Sequence, residues 1–226
     1  MSSLKLTILC NAGLALETDG AMLLVDLPNA PLEPYYTLPE ETWRQILERR
    51  PPYDKVCGFW FTHEHPDHCC REKVEEYLTH WPGTPCFFPE DFLPEGEVRM
   101  GPFTMEYRRM EHAPIPEPPL HVVTLIHTGE GSVYLAADAA LDTQTHRSFL
   151  RGRRCHAAVW NSMYLSRPET RALLTDAAER SFICHMPAMR PDGFGLWRKL
   201  ERNLQRYGDA LTNVKVWDTY PTTENI

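Results

Sequence analysis

Long apolar runs are missing from this sequence. No stretch of about 18 apolar residues occurs, and the N-terminal segment MSSLKLTILC carries one Lys ahead of a short apolar run. We therefore expect neither a transmembrane helix nor a secretory signal. Internal repeats and Gly/Ser-rich linkers are also missing, which excludes collagenous, coiled-coil and low-complexity chains. We expect residues 1–226 to form a single domain.

Positive charge is scarce. Lys and Arg number 23 against 31 Asp and Glu, which gives a net charge of −8 at pH 7. Four Arg at 147, 151, 153 and 154 form the densest basic group, and we interpret them as a solvated surface. Nucleic acid is not an expected partner, because neutralising phosphates requires a basic face. A small-molecule substrate is the expected partner, no membrane is, and an acidic chain of this kind is compatible with a homo-oligomer.

The cysteines do not form a disulfide framework. They number seven, which is odd, and several lie inside apolar runs such as KLTILC, KVCGFW and SFICH. This usage indicates buried, reduced thiols in a cytoplasmic protein. Cys69 and Cys70 directly follow His68. Two interpretations stay open for them: packing residues at a helix start, which we prefer, or thiols beside a metal.

Apolar patterning predicts strands in the first half and alternating strands and helices in the second. The predicted strands are 4–9, 13–17, 21–26, 56–62, 85–88, 103–109, 121–127, 132–136, 157–160, 182–184 and 214–217. The predicted helices are 39–49, 70–79, 143–150, 168–180 and 194–207. Gly208 is expected at the left-handed position that ends the last helix. Two sheets flanked by helices fit this order.

The hexapeptide HEHPDH at 63–68 directly follows the apolar strand 56–62. Four of its six side chains are metal ligands by type: His63, His65, Asp67 and His68. Pro66 and the alternating spacing argue against a helix, so the motif lies in a loop at a strand end, where binding residues are often positioned. Imidazole and carboxylate at this density suit zinc or another borderline divalent ion. The alternative is a surface cluster of separately satisfied histidines, which we consider the weaker interpretation.

HxHxDH after an apolar strand resembles the metallo-β-lactamase-fold hydrolases. The segments 11–17 and 23–26 resemble the first hairpin of that family, whose strand ends in a scaffold aspartate, here Asp26. The resemblance implies an α+β fold, a four-layer αββα sandwich, over most of the chain. Within the family the sequence is most similar to a small branch that resembles ascorbate-6-phosphate lactonase.

The family pattern continues with a third histidine, a bridging aspartate and a last histidine. This chain offers His112, Asp138 and His185 in that order. The resemblance then implies one metal on His63, His65 and His112, a second on Asp67, His68 and His185, and Asp138 between them. His121 stays open as the alternative to His112, which we prefer because 121–125 matches the strand that follows the ligand loop.

Two divalent ions are therefore expected, Zn²⁺ first, with Mn²⁺ and Fe²⁺ as alternatives. A hydroxide shared by such ions attacks a lactone, ester, amide or phosphodiester, and Asp67 would also orient it and handle its proton. One rival is a catalytically silent, metal-binding relative with a structural or regulatory role. A second rival is a diiron redox protein, but that pattern is HxExDH, and His65 occupies its Glu position.

Several further residues are candidates for contact with a substrate. His156, Asn161 and Tyr164 belong to the strand after Asp138 and to the segment beyond it, and we interpret them as ordinary strand-end and loop residues. Arg190 and Asp192 come just after His185. The alternative for this pair is a solvated loop in which Asp192 caps the last helix.

Overall fold

The short apolar runs of the first third form one side of a β-sandwich in the computed structural model, which describes residues 4–226. The first sheet has the strand order β13-β1-β2-β3-β4-β5. Its strands are β1 (Lys5–Ile8), β2 (Leu14–Thr18), β3 (Ala21–Val25), β4 (Val56–Trp60), β5 (Cys86–Phe87) and β13 (Thr222–Asn225). Asp19 and Gly20 both have positive φ, +48° and +72°, and close the β2–β3 hairpin.

The second sheet has the order β12-β11-β10-β9-β8-β7-β6. Its strands are β6 (Glu95–Met100), β7 (Phe103–Arg109), β8 (Val122–His127), β9 (Ser132–Ala137), β10 (Cys155–Asn161), β11 (Ala178–Cys184) and β12 (Val214–Val216). Strands β6 to β9 form an antiparallel meander, and β9 to β12 pair in parallel. Helices connect the parallel strands, as such crossovers require.

Five helices cover the outer faces: α1 (Glu40–Leu47), α2 (Arg71–His80), α3 (Thr143–Leu150), α4 (Pro168–Ala177) and α5 (Leu196–Tyr207). The first two pack on the first sheet, where Trp43 and Tyr77 share a core with Phe59. The other three pack on the second sheet. A third core fills the space between the sheets. The predicted αββα sandwich is therefore confirmed, and each large apolar side chain buried in these cores stabilises it by about 1.5–3 kcal/mol.

Some predicted boundaries are wrong. The helix expected at 168–180 ends at Ala177, because residues 178–180 pair with β10 in the parallel ladder. Gly208 has a right-handed φ of −56° and opens a short 3₁₀ turn, so it is not the left-handed helix terminator. β6 and β13 were not expected, since both are polar strands at sheet edges and lack an apolar run. The strand at 214–217 is therefore not the last one.

The residues that follow β3, β4, β9 and β11 meet at one edge of the sandwich, which we call the carboxyl edge. The two sheets are joined there by a backbone hydrogen bond from Val122 N–H to Thr62 O at 2.9 Å. Trp60 Nε1 also donates across the sheets to Thr124 Oγ1 at 2.9 Å. These bonds fix the strand ends of one sheet against those of the other.

Candidate metal centre

The carboxyl edge is organised around Asp26. This residue follows β3 with a positive φ of +51°. Its carboxylate accepts hydrogen bonds from Thr62 N and from Thr62 Oγ1, both at 2.7 Å. It also accepts from His68 Nδ1 at 2.9 Å. Asp26 therefore acts as the scaffold expected from the sequence, since it holds both ends of the HEHPDH loop.

The Nδ1 atoms of three histidines point away from the centre and donate to the protein. Thr62 Oγ1, whose proton goes to Asp26, lies 3.1 Å from His63 Nδ1 and accepts from it. His68 Nδ1 donates to Asp26, and His112 Nδ1 donates to the Ala113 carbonyl at 2.7 Å. An imidazole protonated at Nδ1 has its lone pair on Nε2. The protein therefore sets the tautomer that a metal ligand needs.

Asp138 lies at the middle of the site. Its Oδ2 is 3.2 Å from His185 Nε2 and 3.6 Å from His68 Nε2. The same oxygen is 3.8 Å from the Nε2 atoms of both His63 and His112. An atom placed between four imidazoles in this way is suited to bridge two metal sites.

The structure brings all seven predicted residues together, in two groups whose ligand atoms lie within 4.8 Å of one another. One group contains His63, His65, His112 and Asp138, and the other contains Asp67, His68 and His185. This division is the one that the resemblance implies. Asp67 Oδ2 lies 3.0 Å from His185 Nε2 and accepts from Asn11 Nδ2 at 2.8 Å. That these side chains bind metal remains a prediction.

The chemistry of the cluster fits divalent ions. The Nε2 atoms of His63, His68, His112 and His185 are buried and have no hydrogen-bond partner among residues 4–226. Buried polar atoms are nearly always satisfied, so four convergent exceptions require an explanation. A metal ion supplies one, because neutral imidazole nitrogens and carboxylates are the ligands that zinc prefers.

The charges in the cluster depend on its carboxylates. Burial raises the pKa of Asp138, but His185 and His68 outweigh it and hold that pKa well below its usual value. Burial, together with the nearby His68, lowers the pKa of His63 well below its usual value. Burial also lowers the pKa of His68 and of His185, but Asp138 outweighs it and raises both, that of His68 to about 10. Without metal, the centre at neutral pH therefore holds an ionised carboxylate, a neutral His63 and two protonated histidines, whose protons a bound cation would replace.

His121 precedes β8, and its ring lies beside those of His63 and His112. Its ring centroid is 5.2 Å from that of His63 and 5.8 Å from that of His112. Burial lowers its pKa to about 3, so it is uncharged, and neither ring nitrogen has a partner in the described part of the chain. It belongs to neither ligand group. The geometry therefore favours His112 as the third histidine.

Of the other candidate residues, one contacts the centre and two do not. Asn161 Nδ2 donates to Asp138 Oδ1 at 3.3 Å, so this side chain contacts the centre. Tyr164 is buried and donates to the Ala139 carbonyl at 3.3 Å instead. His156 lies at the opposite edge, where its Nδ1 accepts from Ser132 N at 3.1 Å. Tyr164 and His156 are therefore ordinary structural residues, as preferred from the sequence.

The loop after His185 is held by its own contacts. Arg190 Nη2 donates to Asp218 Oδ2 at 2.8 Å. The Asp192 carboxylate accepts from the backbone N–H groups of Leu196 and Trp197, each at 2.9 Å, and so caps α5. Cys69 is buried, which raises the pKa of its thiol and keeps it protonated. The packing role preferred for Cys69 fits this environment.

Two residues at the site carried no clear sequence signal. Asn11 bonds Asp67, and its only hint was its place between two strands. The Tyr35 ring lies 4.5 Å from the His185 ring, edge to face. Tyr35 is part of the Pro-rich segment 28–39, which showed no motif.

No helix among residues 4–226 combines the length and hydropathy that crossing a membrane requires.

Comparisons with known proteins rest on structure. No protein-family model and no curated protein matches the sequence. The metallo-β-lactamase-fold protein YhfI from Bacillus subtilis matches with a TM-score of 0.68 and 13% identity, over 99% of this chain and 100% of that one. An isothiocyanate hydrolase from Delia radicum gut bacteria matches with a TM-score of 0.64 and 13% identity, over 98% and 99% of the two chains.

A third match has a different chemistry. CmlA, a diiron β-hydroxylase from Streptomyces venezuelae, matches with a TM-score of 0.65 and 12% identity, over 100% of this chain and 55% of that one. Identities this low establish the fold and leave activity open. The resemblance to an ascorbate-6-phosphate-lactonase-like branch stays a prediction. With the sandwich, the HEHPDH loop and these matches together, the chain has the metallo-β-lactamase fold.

Proposed function

We propose that this protein is a metal-dependent hydrolase with a binuclear centre. The observation that carries the proposal is the set of four buried Nε2 atoms without partners that surround Asp138 Oδ2. His63, His65 and His112 would hold one divalent ion, and Asp67, His68 and His185 the other. Asp138 would contact both.

Ions held in such a site would lower the pKa of water to near neutral and polarise the bond under attack. The residues of this chain would hold the nucleophile in place and accept its proton. Burial raises the pKa of Asp67, but His185 and His68 outweigh it and hold that pKa below its usual value. Asp67 is therefore ionised at neutral pH and would accept a proton from a nucleophile beside it. Asn11 Nδ2 donates to Oδ2 of this carboxylate and fixes its orientation.

The proposed reaction is hydrolysis of a small lactone, ester, amide or phosphodiester. Zinc is the preferred metal, because the donor set is rich in imidazole, which suits zinc. Manganese and iron are alternatives. A diiron redox protein is the second candidate, favoured by the shared fold of the diiron β-hydroxylase CmlA. His65 argues against it, as the motif comparison showed.

Metal content tests the proposal. Protein purified without a metal-affinity column should contain about two metals per chain by mass spectrometry. His63→Ala and Asp138→Ala should each lose metal, whereas His156→Ala, a histidine at the opposite edge, should keep it. The wild type should hydrolyse members of an ester, lactone and phosphodiester panel. At most one metal after zinc and manganese reconstitution would contradict the binuclear centre, and visible absorption with iron would favour the redox candidate.

A further inference from the structure

Exposed apolar side chains concentrate at the carboxyl edge. Among the described residues, six large apolar side chains are exposed by 37% to 76%: Leu32, Leu93, Ile115, Leu120, Met189 and Phe194. Single exposed apolar residues are normal on any surface, but a cluster at one place marks an interaction site.

Each of the six lies on a connection at the edge that holds the metal centre. Ile115 and Leu120 are in the segment that follows His112, and Met189 and Phe194 follow His185. Leu32 is next to Tyr35, whose N–H donates to the Leu32 carbonyl at 2.8 Å. Leu93 precedes Pro94, whose carbonyl accepts from Arg109 N–H at the end of β7. The turns at the opposite edge, such as 19–20 and 128–131, contribute none of them.

A groove that Leu120 lines reaches the candidate metal centre at His112. Its volume is about 620 Å³, and His112 is part of its wall. The apolar lining comes from Met110, Pro114, Pro118, Pro119 and Leu120. We call it the Pro114 groove. Because His112 belongs to both the groove and the first ligand group, a molecule in the groove lies next to the candidate metal centre.

The groove is lined by one residue of each charge, Arg109 and Glu111, and basic residues are scarce in the neighbouring loops of the same edge. The three segments 28–39, 111–120 and 186–195 contain a single Lys or Arg, Arg190, against four Asp and Glu. Arg190 is already paired with Asp218 at 2.8 Å, and its guanidinium carbon lies 3.5 Å from the Trp197 ring centroid. Arg109 Nη2 donates to the Phe92 carbonyl, whereas its Nε is buried and has no hydrogen-bond partner among residues 4–226.

We propose that the Pro114 groove binds the uncharged, apolar acyl part of the substrate. This rests on the proposed function and narrows it to a neutral ester or lactone with an apolar chain. In the reaction, water adds to the carbonyl carbon, the bond from that carbon to the alcohol oxygen breaks, and an acid and an alcohol leave. We expect a phosphate ester or a carboxylate tail to bind more weakly in the groove, because its lining is mostly apolar.

The kinetic test compares p-nitrophenyl acetate, butyrate and octanoate. A fully buried CH₂ contributes about fourfold to binding, so a half-open groove should give about a twofold rise in kcat/KM for each added CH₂. The p-nitrophenyl monoester of suberic acid has an eight-carbon chain that ends in a carboxylate. It should react at least about tenfold more slowly than the octanoate. Equal rates along the neutral series, or a preference for the monoester, would overturn the proposal.

Two leucines give a matched pair of variants. Leu120 lines the groove, and Leu93 is an exposed leucine at the same edge outside the lining. Leu120→Ser should lower the ratio of octanoate to acetate kcat/KM by about fivefold, since its side chain would contact several CH₂ groups. Leu93→Ser should leave the ratio unchanged. An equal fall of this ratio in both variants would contradict the proposal that the groove binds the acyl chain.

Binding separates this inference from the proposed hydrolysis. Octanamide, a neutral analogue with its chain on the acyl side, should bind by titration calorimetry, and Leu120→Ser should weaken its binding. Suberic acid monoamide, its anionic match, should bind at least about tenfold more weakly. Binding without hydrolysis of any member of the ester, lactone and phosphodiester panel supports the groove and contradicts the hydrolase. Hydrolysis without binding of the neutral analogue supports the hydrolase and contradicts the groove. A dimer that Leu120→Asp dissociates, with no analogue bound, would assign the surface to a second copy and overturn the proposal.

Discussion

Asp26 Oδ2 accepts the Nδ1 proton of His68 at 2.9 Å, although the two residues are 42 positions apart. The same oxygen accepts from Thr62 Oγ1, which in turn accepts from His63. One carboxylate therefore orients a histidine of each ligand group.

The first prediction concerns this carboxylate. Asp26→Asn removes the charge and offers an amide donor to His68 Nδ1, which favours the wrong tautomer. Metal affinity should fall by about 10–100-fold, the usual effect of losing such a supporting residue. Competition with a chromophoric chelator measures it. Asp54→Asn, at an exposed aspartate, is the control, and equal affinities in the two variants would show that Asp26 is not needed for metal binding.

The sequence predicted that these seven side chains lie together, because most of them follow apolar strands. HEHPDH, Asp138 and His185 each come directly after a buried run, so pattern and position agree. Asn11 and Tyr35 were not predicted as site residues, since their roles depend on how two distant loops meet. β6 and β13 were missed because polar edge strands need pairing partners, not an apolar run, to form.

The second prediction separates the two candidate third histidines. His112→Ala should abolish binding of one metal, because His112 Nε2 faces the centre. His121→Leu should keep both metals. It should also leave the free energy of unfolding unchanged or raise it by about 1 kcal/mol, because it removes two buried nitrogens without partners. Metal analysis and urea unfolding check both variants. Loss of metal from His121→Leu would reverse the assignment.

The third prediction concerns pH and a histidine outside the centre. His146 is buried between Tyr134 and Tyr164, whose hydroxyl oxygens lie 2.5 Å and 2.6 Å from its two nitrogens. Burial lowers its pKa from 6.5 to about 4. The unfolded chain therefore binds a proton that the folded chain excludes between these pH values. Stability should fall as the pH falls through that window, by about 3 kcal/mol in total.

Urea unfolding in the presence of a chelator, at pH 7, 6, 5 and 4, measures this dependence. His146→Gln should be less stable at pH 7, yet lose about 3 kcal/mol less than the wild type on acidification. The difference between the two pH slopes isolates His146 from other buried histidines. Parallel slopes would show that His146 does not cause the acid sensitivity.

The fourth prediction concerns the tight turn that places Asn11. Leu9 N–H donates to the Gly13 carbonyl at 2.8 Å, and a Cβ at Gly13 would lie 2.6 Å from Cys10 Sγ and overlap Leu27. Gly13→Ala should therefore lower the free energy of unfolding by about 1–3 kcal/mol. Gly129→Ala, where no atom lies within 4 Å of the new Cβ, should change it by less than about 0.5 kcal/mol. Chemical denaturation measures the free energy of unfolding of both variants. Similar losses in the two would show that a Cβ at position 13 is not crowded.

The division of the centre between the two sheets has a consequence for the order of folding. His63, His65, Asp67 and His68 come from the first sheet, whereas His112, Asp138 and His185 come from the second. Neither sheet alone presents a complete ligand group with Asp138, so the metal site exists only after the two halves have docked. Metal capture at the proposed centre would then be a late event, and a bound ion would stabilise the docked sheets against separation, as a cross-link does.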